Sequence, residues 1–247
     1  MERTAIRRRL SWQQATVVDL VDETARVRSL VLDLEAWPGH RAGQHVDVRL
    51  TADDGYQAQR SYSIASAPED EHVVLTVERL EEGEVSSYLV DVLTVGDAIE
   101  LRGPIGGYFI WEEQLGGPLF LVAGGSGIVP LRSMLRHRNA VDSDVSVRLL
   151  YSSRSLDEII YRDELLRAAE PDDVDVRLTL TREQPDGWSG YTRRIDRALL
   201  DEVAFAPEVM PRTYVCGPTG FVETAAQALV DLGHEAASIR TERFGPT

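Results

Sequence analysis

Three side chains that suit an anionic, aromatic ligand stand close together in the stretch Arg60-Ser61-Tyr62-Ser63. Arginine presents a planar fork of donors to a phosphate, tyrosine a flat face for stacking, and serine a hydroxyl that donates or accepts. A polar turn precedes the stretch and an apolar run, Val73 to Val77, follows it, which predicts a β-strand. Alone, the stretch fits an ordinary strand with surface polar residues equally well, so the rest of the chain must decide.

A second candidate site is the glycine-rich run Gly124-Gly125-Ser126-Gly127, which follows the apolar run Leu119 to Ala123 and precedes a helical pattern. A glycine-rich turn between a strand and a helix N-terminus cradles phosphate. The run is not the dinucleotide fingerprint G-x-G-x-x-G, because Pro130 occupies the position of the last glycine in that motif. It is not the hydrolase elbow G-x-S-x-G either, because Ile128 stands where that motif ends in glycine. The pattern therefore predicts phosphate binding without naming the nucleotide.

The composition excludes several classes of function. The chain has 247 residues, a hydrophobic content of 43% and a net charge of -15, which describe a soluble globular protein and argue against nucleic acid as a partner. A single cysteine, Cys216, excludes an internal disulfide, a four-cysteine zinc site and a protein-ligated iron–sulfur cluster. The five histidines show no metal-ligand spacing, so we expect no metal. No apolar run approaches the roughly 20 residues of a membrane helix, and no secretory signal is visible, so we expect a cytoplasmic protein without a membrane contact.

Two clusters of basic residues interrupt this acidic composition, and we interpret each as a solvated face rather than a docking site. The first consists of Arg3, Arg7, Arg8 and Arg9, and the second of Arg132, Arg136, His137 and Arg138.

The first half of the chain, residues 1 to about 112, predicts a small antiparallel β-barrel. At least six short, alternating or β-rich runs are separated by turn signals, with a first break near Asp22-Glu23-Thr24 and a last strand ended by Gly103-Pro104. One helical segment follows Gly83, with Ser86 as the expected N-cap. Its first N–H groups suit an anion, although a plain capped helix over one barrel end explains the pattern as well.

The second half, residues 117 to 247, predicts a doubly wound α/β domain, joined to the first half by a linker from Trp111 to Pro118. Strands alternate with helices, among them helices expected over Asp157 to Ala169 and Arg194 to Val203. Ligands bind beyond the carboxyl ends of the strands in such sheets. The candidate residues at those ends are the glycine-rich turn, Ser153-Arg154, Thr181-Arg182 and Cys216-Gly217.

Three residues near the third strand of this domain suggest which nucleotide is bound. Thr181, Arg182 and Tyr191 can hold a phosphate through a hydroxyl, a guanidinium and a phenol. An acid at the end of the second strand would bind a ribose diol, whereas Arg154 at that place suits a 2′-phosphate. The sequence therefore favours NADPH over NADH.

The order of these motifs resembles the ferredoxin–NADP(+) reductase family over nearly the whole chain. Each motif is weak alone, and the specific feature is that all of them occur in order. They are Arg60-Ser61-Tyr62-Ser63, Gly83-Glu84-Val85-Ser86, Gly103-Pro104-Ile105-Gly106, Gly124 to Pro130, Tyr151-Ser152-Ser153-Arg154, Cys216-Gly217-Pro218 and Glu242-Arg243-Phe244. The resemblance implies a flavin-binding barrel followed by a nicotinamide-nucleotide domain.

The resemblance also implies roles on the flavin side. Arg60 would bind the flavin diphosphate, Tyr62 would stack on the isoalloxazine, and Ser63 would approach its reactive N5 edge. The residues that would hold the pyrophosphate belong to the helix start, namely Gly83, Val85, Ser86 and Ser87. FAD is favoured over FMN through the resemblance only.

On the nucleotide side, the resemblance implies that the glycine-rich turn receives the NAD(P)H pyrophosphate. The residues concerned are Gly125, Ser126 and Gly127 for the pyrophosphate, Ser153, Arg154, Thr181, Arg182 and Tyr191 for the adenosine end, and Cys216 and Gly217 for the nicotinamide. Glu242 would flank the nicotinamide with Cys216, and Phe244 stands where the plant-type enzymes carry a shielding tyrosine. This chain departs from that pattern because three residues follow Phe244.

These roles define a hypothesis of hydride transfer from NAD(P)H to a flavin and of electron delivery to a separate acceptor. The cofactor carries the chemistry and the protein orients it. Ser63, Cys216, Glu242 and Phe244 are the residues expected at the reaction centre. A ferredoxin, a flavodoxin or an oxygenase component is the expected acceptor. The alternatives are a non-catalytic flavin-binding electron-transfer or regulatory subunit of a larger complex, and a nucleotide-binding module without flavin.

Overall fold

The computed structural model describes residues 10–169 and 174–245, so the cluster Arg3 to Arg9 lies outside the described residues. Its first part is a six-stranded antiparallel sheet with the order β4-β3-β6-β1-β2-β5, which we call the barrel lobe. The strands are β1 Trp12–Thr24, β2 Val27–Asp33, β3 His45–Thr51, β4 Gln57–Ser63, β5 Val73–Glu78 and β6 Ala98–Ile105. A bridge between Ile64 and Leu75 joins the two ends of the sheet, which confirms the predicted antiparallel barrel.

Alternation along β3 shows how the sequence builds this lobe. Val46 and Val48 lie in the apolar core, whereas Asp47 and Arg49 face outward. Asp47 accepts hydrogen bonds from Ser61 Oγ at 2.7 Å and from Arg102 Nη2 at 2.6 Å. Because opposite residues of paired strands share a face, this network fixes the register of β3 against β4 and β6.

The second part, which we call the parallel lobe, is a five-stranded parallel sheet with the order β11-β10-β7-β8-β9. Helices pack on both of its faces, which confirms the predicted doubly wound topology. Its strands are β7 Leu119–Gly124, β8 Val147–Ser153, β9 Val174–Leu180, β10 Arg212–Pro218 and β11 Ile239–Phe244. The α-helices of the described residues are α1 Glu84–Ser87 in the barrel lobe, which a π-helical turn Tyr88–Val92 continues, then α2 Ile128–Ala140, α3 Arg162–Ala169, α4 Arg197–Val203 and α5 Thr219–Asp231. Within the described ranges, none of the helices combines the length and apolarity needed to cross a membrane.

The first break lies at residues 25–26, next to the predicted Asp22-Glu23-Thr24, because β1 stays paired with β2 as far as Thr24 opposite Val27. The predicted end of the last strand in the barrel lobe is wrong. β6 does not end at Gly103-Pro104 but continues to Ile105, which pairs with His45. Gly103 permits this, since a Cβ there would lie 2.7 Å from Val46 Cγ1.

Two predicted helix starts in the parallel lobe are also wrong. The helix expected from Asp157 begins at Arg162, because Tyr161 has a φ of 60°, a left-handed conformation that a helix does not contain. The helix expected from Arg194 begins at Arg197. Asp196 caps it by accepting a hydrogen bond from the Leu199 N–H at 2.8 Å.

The second basic cluster lies where α2 packs on the barrel lobe, so its interpretation as a solvated face is corrected. Arg132, only 11% exposed, pairs with Glu164 at 2.8 Å, and its Nη1 also donates to the Ala65 carbonyl. Arg136 pairs with Asp70 and His137 with Glu69. Carboxylates of both lobes therefore meet these cations at the interface between the lobes.

Hydroxyl groups also join the two lobes. Ser133 Oγ donates to the Ser66 carbonyl at 2.6 Å, and Tyr161 OH donates to Thr76 Oγ1 at 2.5 Å. Thr76 Oγ1 in turn lies 2.8 Å from Ser29 Oγ. These contacts hold α2 and the residue that precedes α3 against β5 and the loop that follows β4, and Ser29 of β2 extends the network.

We predict that Tyr161→Phe lowers the free energy of unfolding by about 1–2 kcal/mol, because it removes a buried hydrogen bond between the lobes. Urea denaturation of the FAD-saturated protein measures the change. Tyr108→Phe is the matched control, since Tyr108 is exposed and its bond to the Ile239 carbonyl is 3.3 Å long. Equal losses in the two variants would contradict the assignment.

Candidate active site

Arg60, Tyr62 and Ser63 lie along β4, at the edge of the barrel sheet. Arg60 is exposed and its Nη1 donates to the Gln59 carbonyl at 2.7 Å; among the described residues it makes no ion pair with a carboxylate. Tyr62 packs against the barrel core, and burial raises the pKa of its phenol to about 12. Ser63 follows at the end of the strand, opposite His45 of β3. The strand thus offers a guanidinium, a ring and a hydroxyl in sequence.

The helix start expected to hold a pyrophosphate lies beside β4, but Ser86 is not its N-cap. α1 begins after Gly83, and Ser86 Oγ instead donates to the Gly83 carbonyl and accepts from the Leu80 N–H, both at 3.2 Å. The side chain of Val85 is buried in the barrel core. Ser87 Oγ donates to the Leu80 carbonyl. The helix start therefore offers backbone N–H groups to a ligand, while its predicted side chains hold the loop.

The glycine-rich turn joins β7 to α2 and lies against the end of β10. Gly125, with a φ of 56°, begins the turn, and Ser126 and Gly127 complete it. A Cβ at Gly127 would lie 2.1 Å from the carbonyl oxygen of Cys216. Only glycine allows this approach, which places the turn next to Cys216-Gly217 at the carboxyl end of the sheet.

Groups from both lobes meet at Glu242 of β11. Glu242 lies opposite Cys216 in the register of β11 and β10. Its Oε1 is 3.9 Å from Nδ1 of His45, which is itself paired with Ser63. The structure therefore places His45 beside Ser63 and Glu242, and Glu242 beside Cys216.

Burial controls the protonation of this cluster. It raises the pKa of Glu242 to about 7, and the Oε2 atom is buried with no hydrogen-bond partner among the described residues. Burial raises the pKa of the Cys216 thiol well above its usual value, so the thiol stays protonated and is not a nucleophile. Burial lowers the pKa of His45, against the opposing effect of Asp47, so the imidazole is neutral at pH 7.

Sequence reasoning missed His45. It lies in an alternating run that reads only as a strand, and nothing in the run indicates which β4 residue it faces. The register of β3 against β4 places it beside Ser63, and Gly106 lies against its ring, where a Cβ would be 3.4 Å from Nδ1. The one feature of the sequence that could have indicated His45 is the carboxylate of Asp47 two residues later, whose negative charge acts on the imidazole.

Phe244 ends β11, where it pairs with Pro218, and its ring is half-buried against the apolar cluster shared by the two lobes. Its place on the same side of the strand as Glu242 follows from the two-residue alternation. The shielding role implied by the resemblance stays a prediction.

The residues expected at the adenosine end lie together at the carboxyl ends of β8 and β9. Thr181 Oγ1 donates to the Ser153 carbonyl at 3.2 Å, and the Arg182 N–H donates to the Arg154 carbonyl at 2.9 Å. Tyr191 forms a parallel bridge with Thr179 beside them. The structure therefore brings the five predicted residues to one end of the sheet.

Two family models match consecutive parts of the chain. Residues 14–110 match the oxidoreductase FAD-binding domain and residues 121–227 match the oxidoreductase NAD-binding domain. NADH-cytochrome b5 reductase 1 of Eremothecium gossypii is 30% identical over 92% of this chain and 81% of its own length. The glycine betaine monooxygenase reductase subunit of Pseudomonas aeruginosa is 30% identical over 93% of this chain and 63% of its own length.

Among solved structures, the flavohem-like FAD/NAD-binding domain of nitric oxide dioxygenase from Vibrio cholerae has a TM-score of 0.85 and 26% identity, covering 95% of this chain and 99% of that chain. The chain spans 63 to 65% of the length of the first curated relatives that it matches. Taken with the barrel, the doubly wound sheet and the cluster between them, these similarities show that the chain belongs to the ferredoxin reductase-like family of FAD- and NAD-binding oxidoreductases.

Proposed function

We propose that this protein is a flavin-dependent reductase that oxidises a reduced nicotinamide nucleotide and delivers electrons to a separate acceptor. The observation that carries the proposal is the cluster between the lobes, where Ser63 and His45 of the barrel meet Cys216 and Glu242 of the parallel lobe. The proposed domains are residues 1–112 for the flavin and 117–247 for the nucleotide. A site built from both halves suits a reaction between two bound cofactors better than it suits a single-nucleotide module.

The residues present fit FAD. Arg60 lacks a carboxylate partner among the described residues, and the N–H groups of residues 84–86 in the first turn of α1 have no acceptor within the helix, whereas the Ser87 N–H donates to the Gly83 carbonyl. Tyr62 would support the isoalloxazine, and Arg60 with the helix start would hold the diphosphate. When bound, FAD accepts hydride from the reduced nicotinamide and passes the electrons on. The buried, unpartnered Oε2 of Glu242 is a polar atom that calls for a ligand or a water there.

The chain's own residues would position the reactants and handle the proton. The turn Gly125 to Gly127 would receive the nucleotide pyrophosphate, and the protonated thiol of Cys216 would pack beside the nicotinamide. A carboxyl with a pKa of about 7 is half-protonated near neutral pH, so Glu242 can take or give a proton there. Neutral His45 is the neighbouring group that would exchange this proton, and the 3.9 Å between its Nδ1 and Glu242 Oε1 requires one bridging water for the transfer.

An oxygenase component is the proposed acceptor, in line with the name of the Pseudomonas aeruginosa relative. The predicted alternative, a small acidic ferredoxin, would need a local basic patch. In the described part of the chain, Arg132, Arg136 and His137 are paired with carboxylates at the lobe interface. This cluster is therefore not a free basic patch to which an acidic ferredoxin could bind. A flavodoxin could accept electrons from the same flavin, but no observation in this structure favours it.

The proposal is tested by the absorption spectrum of the purified protein and by its response to NADH and NADPH without oxygen. We expect flavin absorption that bleaches on addition of a reduced nucleotide, followed by turnover with ferricyanide as an artificial acceptor. Bleaching without turnover would favour a passive electron-transfer subunit. A protein that takes up neither FAD nor FMN would contradict the role of Arg60, Tyr62 and Ser63.

A further inference from the structure

The carboxylate of Glu202 lies at the adenosine end of the parallel lobe and was not foreseen from the sequence. Its Oε1 accepts a hydrogen bond from the phenol of Tyr191 at 2.9 Å. Its Oε2 accepts one from Arg193 Nη2 at 3.0 Å. Tyr191 is the residue whose phenol was predicted to hold a 2′-phosphate, so the hydroxyl already has an anionic acceptor in this structure.

The backbone holds Tyr191 firmly beside the end of β9. Its N–H donates to the Leu178 carbonyl at 3.0 Å, and its carbonyl accepts from the Leu180 N–H at 2.9 Å. The carbonyl also accepts from Trp188 Nε1 at 3.0 Å. Thr181 and Arg182 follow Leu180 directly, so the phenol shares this edge of the sheet with the other predicted phosphate-binding groups.

Glu202 is held as firmly on the neighbouring helix. It lies on α4, which Asp196 caps and which buries Leu199, Leu200 and Val203 in the core of that face. Its side chain is 56% exposed at the surface, where a substitution to glutamine disturbs no packing. The contact with Tyr191 therefore follows from the fold of both segments.

The other groups at this end give no surplus of positive charge. Thr181 Oγ1 already donates to the Ser153 carbonyl, and Arg154 lies 3.7 Å from Glu158. The guanidinium groups here belong to Arg154, Arg177, Arg182 and Arg193, and the carboxylates belong to Glu158, Asp175, Glu183 and Glu202. Arg177 pairs with Asp175, and of the four cations only Arg182 makes no ion pair among the described residues. A 2′-phosphate carries close to two negative charges near pH 7 and needs unpaired cations or donors. A ribose 2′-hydroxyl is neutral and can bind among mixed charges.

We propose that Glu202 is a specificity-determining residue that disfavours the 2′-phosphate and makes NADH the preferred substrate. This inference rests on the proposed reductase function and replaces the preference for NADPH that the sequence suggested. Two physical effects support it. Glu202 accepts the hydrogen bond that the phenol of Tyr191 would otherwise donate to the phosphate, and it places a negative charge beside the expected position of the phosphate.

The test compares NADH and NADPH as reductants of the FAD-loaded protein and of its Glu202→Gln variant. Glutamine keeps an acceptor for Tyr191 and removes the charge. We expect the wild type to use NADH with the higher kcat/KM. We expect Glu202→Gln to raise kcat/KM for NADPH about tenfold, the order that one charge contributes at a partly exposed site, with NADH changed less than about twofold. Glu235→Gln, an exposed carboxylate near the amino end of β11, is the matched control and should change neither value.

A binding measurement separates this inference from the reductase function. Titration calorimetry with 2′,5′-ADP and 5′-AMP reports the 2′-phosphate without any turnover. Tighter binding of 2′,5′-ADP alone by Glu202→Gln supports the inference even if no flavin bleaches. A wild type that prefers NADPH, or a variant with unchanged 2′,5′-ADP affinity, overturns it. A wild type that no nucleotide bleaches contradicts the reductase function and leaves the calorimetric result to decide on Glu202.

Discussion

Replacement of Gly127 by alanine is expected to lower kcat/KM for NADH by about 100-fold, the cost of a displacement on the order of 1 Å at a positioned reaction centre. The added Cβ would lie 2.1 Å from the carbonyl oxygen of Cys216 and 2.8 Å from the Gly217 nitrogen. Both atoms belong to the backbone, so no flexible side chain can move aside. The turn and the end of β10 must separate, and these two segments are the ones that would hold the pyrophosphate and flank the nicotinamide.

Stopped-flow reduction of the bound flavin by NADH measures this loss directly. FAD retention should be unchanged, because Gly127 lies in the parallel lobe and the flavin residues lie in the barrel. Gly220→Ala is the matched control, since a Cβ at that position on α5 meets nothing within 4 Å. Flavin reduction by Gly127→Ala at the wild-type rate would contradict the proposed cradle.

Replacement of Glu242 by glutamine is expected to stabilise the protein by about 3 kcal/mol at pH 8 and to leave it unchanged at pH 4. The folded protein raises the pKa of this carboxyl from 4.5 to about 7, because burial penalises the charged form and the side chain is only 26% exposed. Between those two values the folded state binds more protons than the unfolded state. Stability therefore falls as pH rises through this window, and the penalty is complete above pH 7. Glutamine carries no charge and escapes it.

Thermal or urea unfolding of the wild type and of Glu242→Gln between pH 4 and pH 8.5 shows whether the variant becomes the more stable protein as pH rises. The difference between variant and wild type is the informative quantity, because the lowered pKa values of Asp47 and Asp175 affect both proteins alike and matter at lower pH. Glu223→Gln, an exposed residue of α5, is the control and should give a constant difference. If the stabilities of Glu242→Gln and the wild type change with pH in parallel, the carboxyl is not desolvated.

The same variant should flatten the dependence of the rate of flavin reduction on pH near 7, since it removes a proton carrier.

Local patterns were sufficient for much of the fold. The alternation in β3 and β4, the apolar run of β7 and the glycine-rich turn after it each depend on residues close in sequence, and the structure confirms the barrel and the doubly wound sheet that they predict. Element ends were less predictable. α3 begins late because Tyr161 turns toward Thr76 of the other lobe, a contact 85 positions away that no local pattern contains.

The sequence by itself determined the two-lobed architecture and the residue types of the site, because strand periodicity, glycine turns and motif order are properties of short segments. Only the tertiary structure decided which charges and hydroxyls are already engaged. It places His45 between Ser63 and Glu242 and buries the cluster around Arg132 in the lobe interface. It also pairs the phenol of Tyr191 with Glu202 in a hydrogen bond. Each of these depends on register or packing between distant segments, and pairing of that kind is set by the free energy of the whole fold rather than by any one stretch.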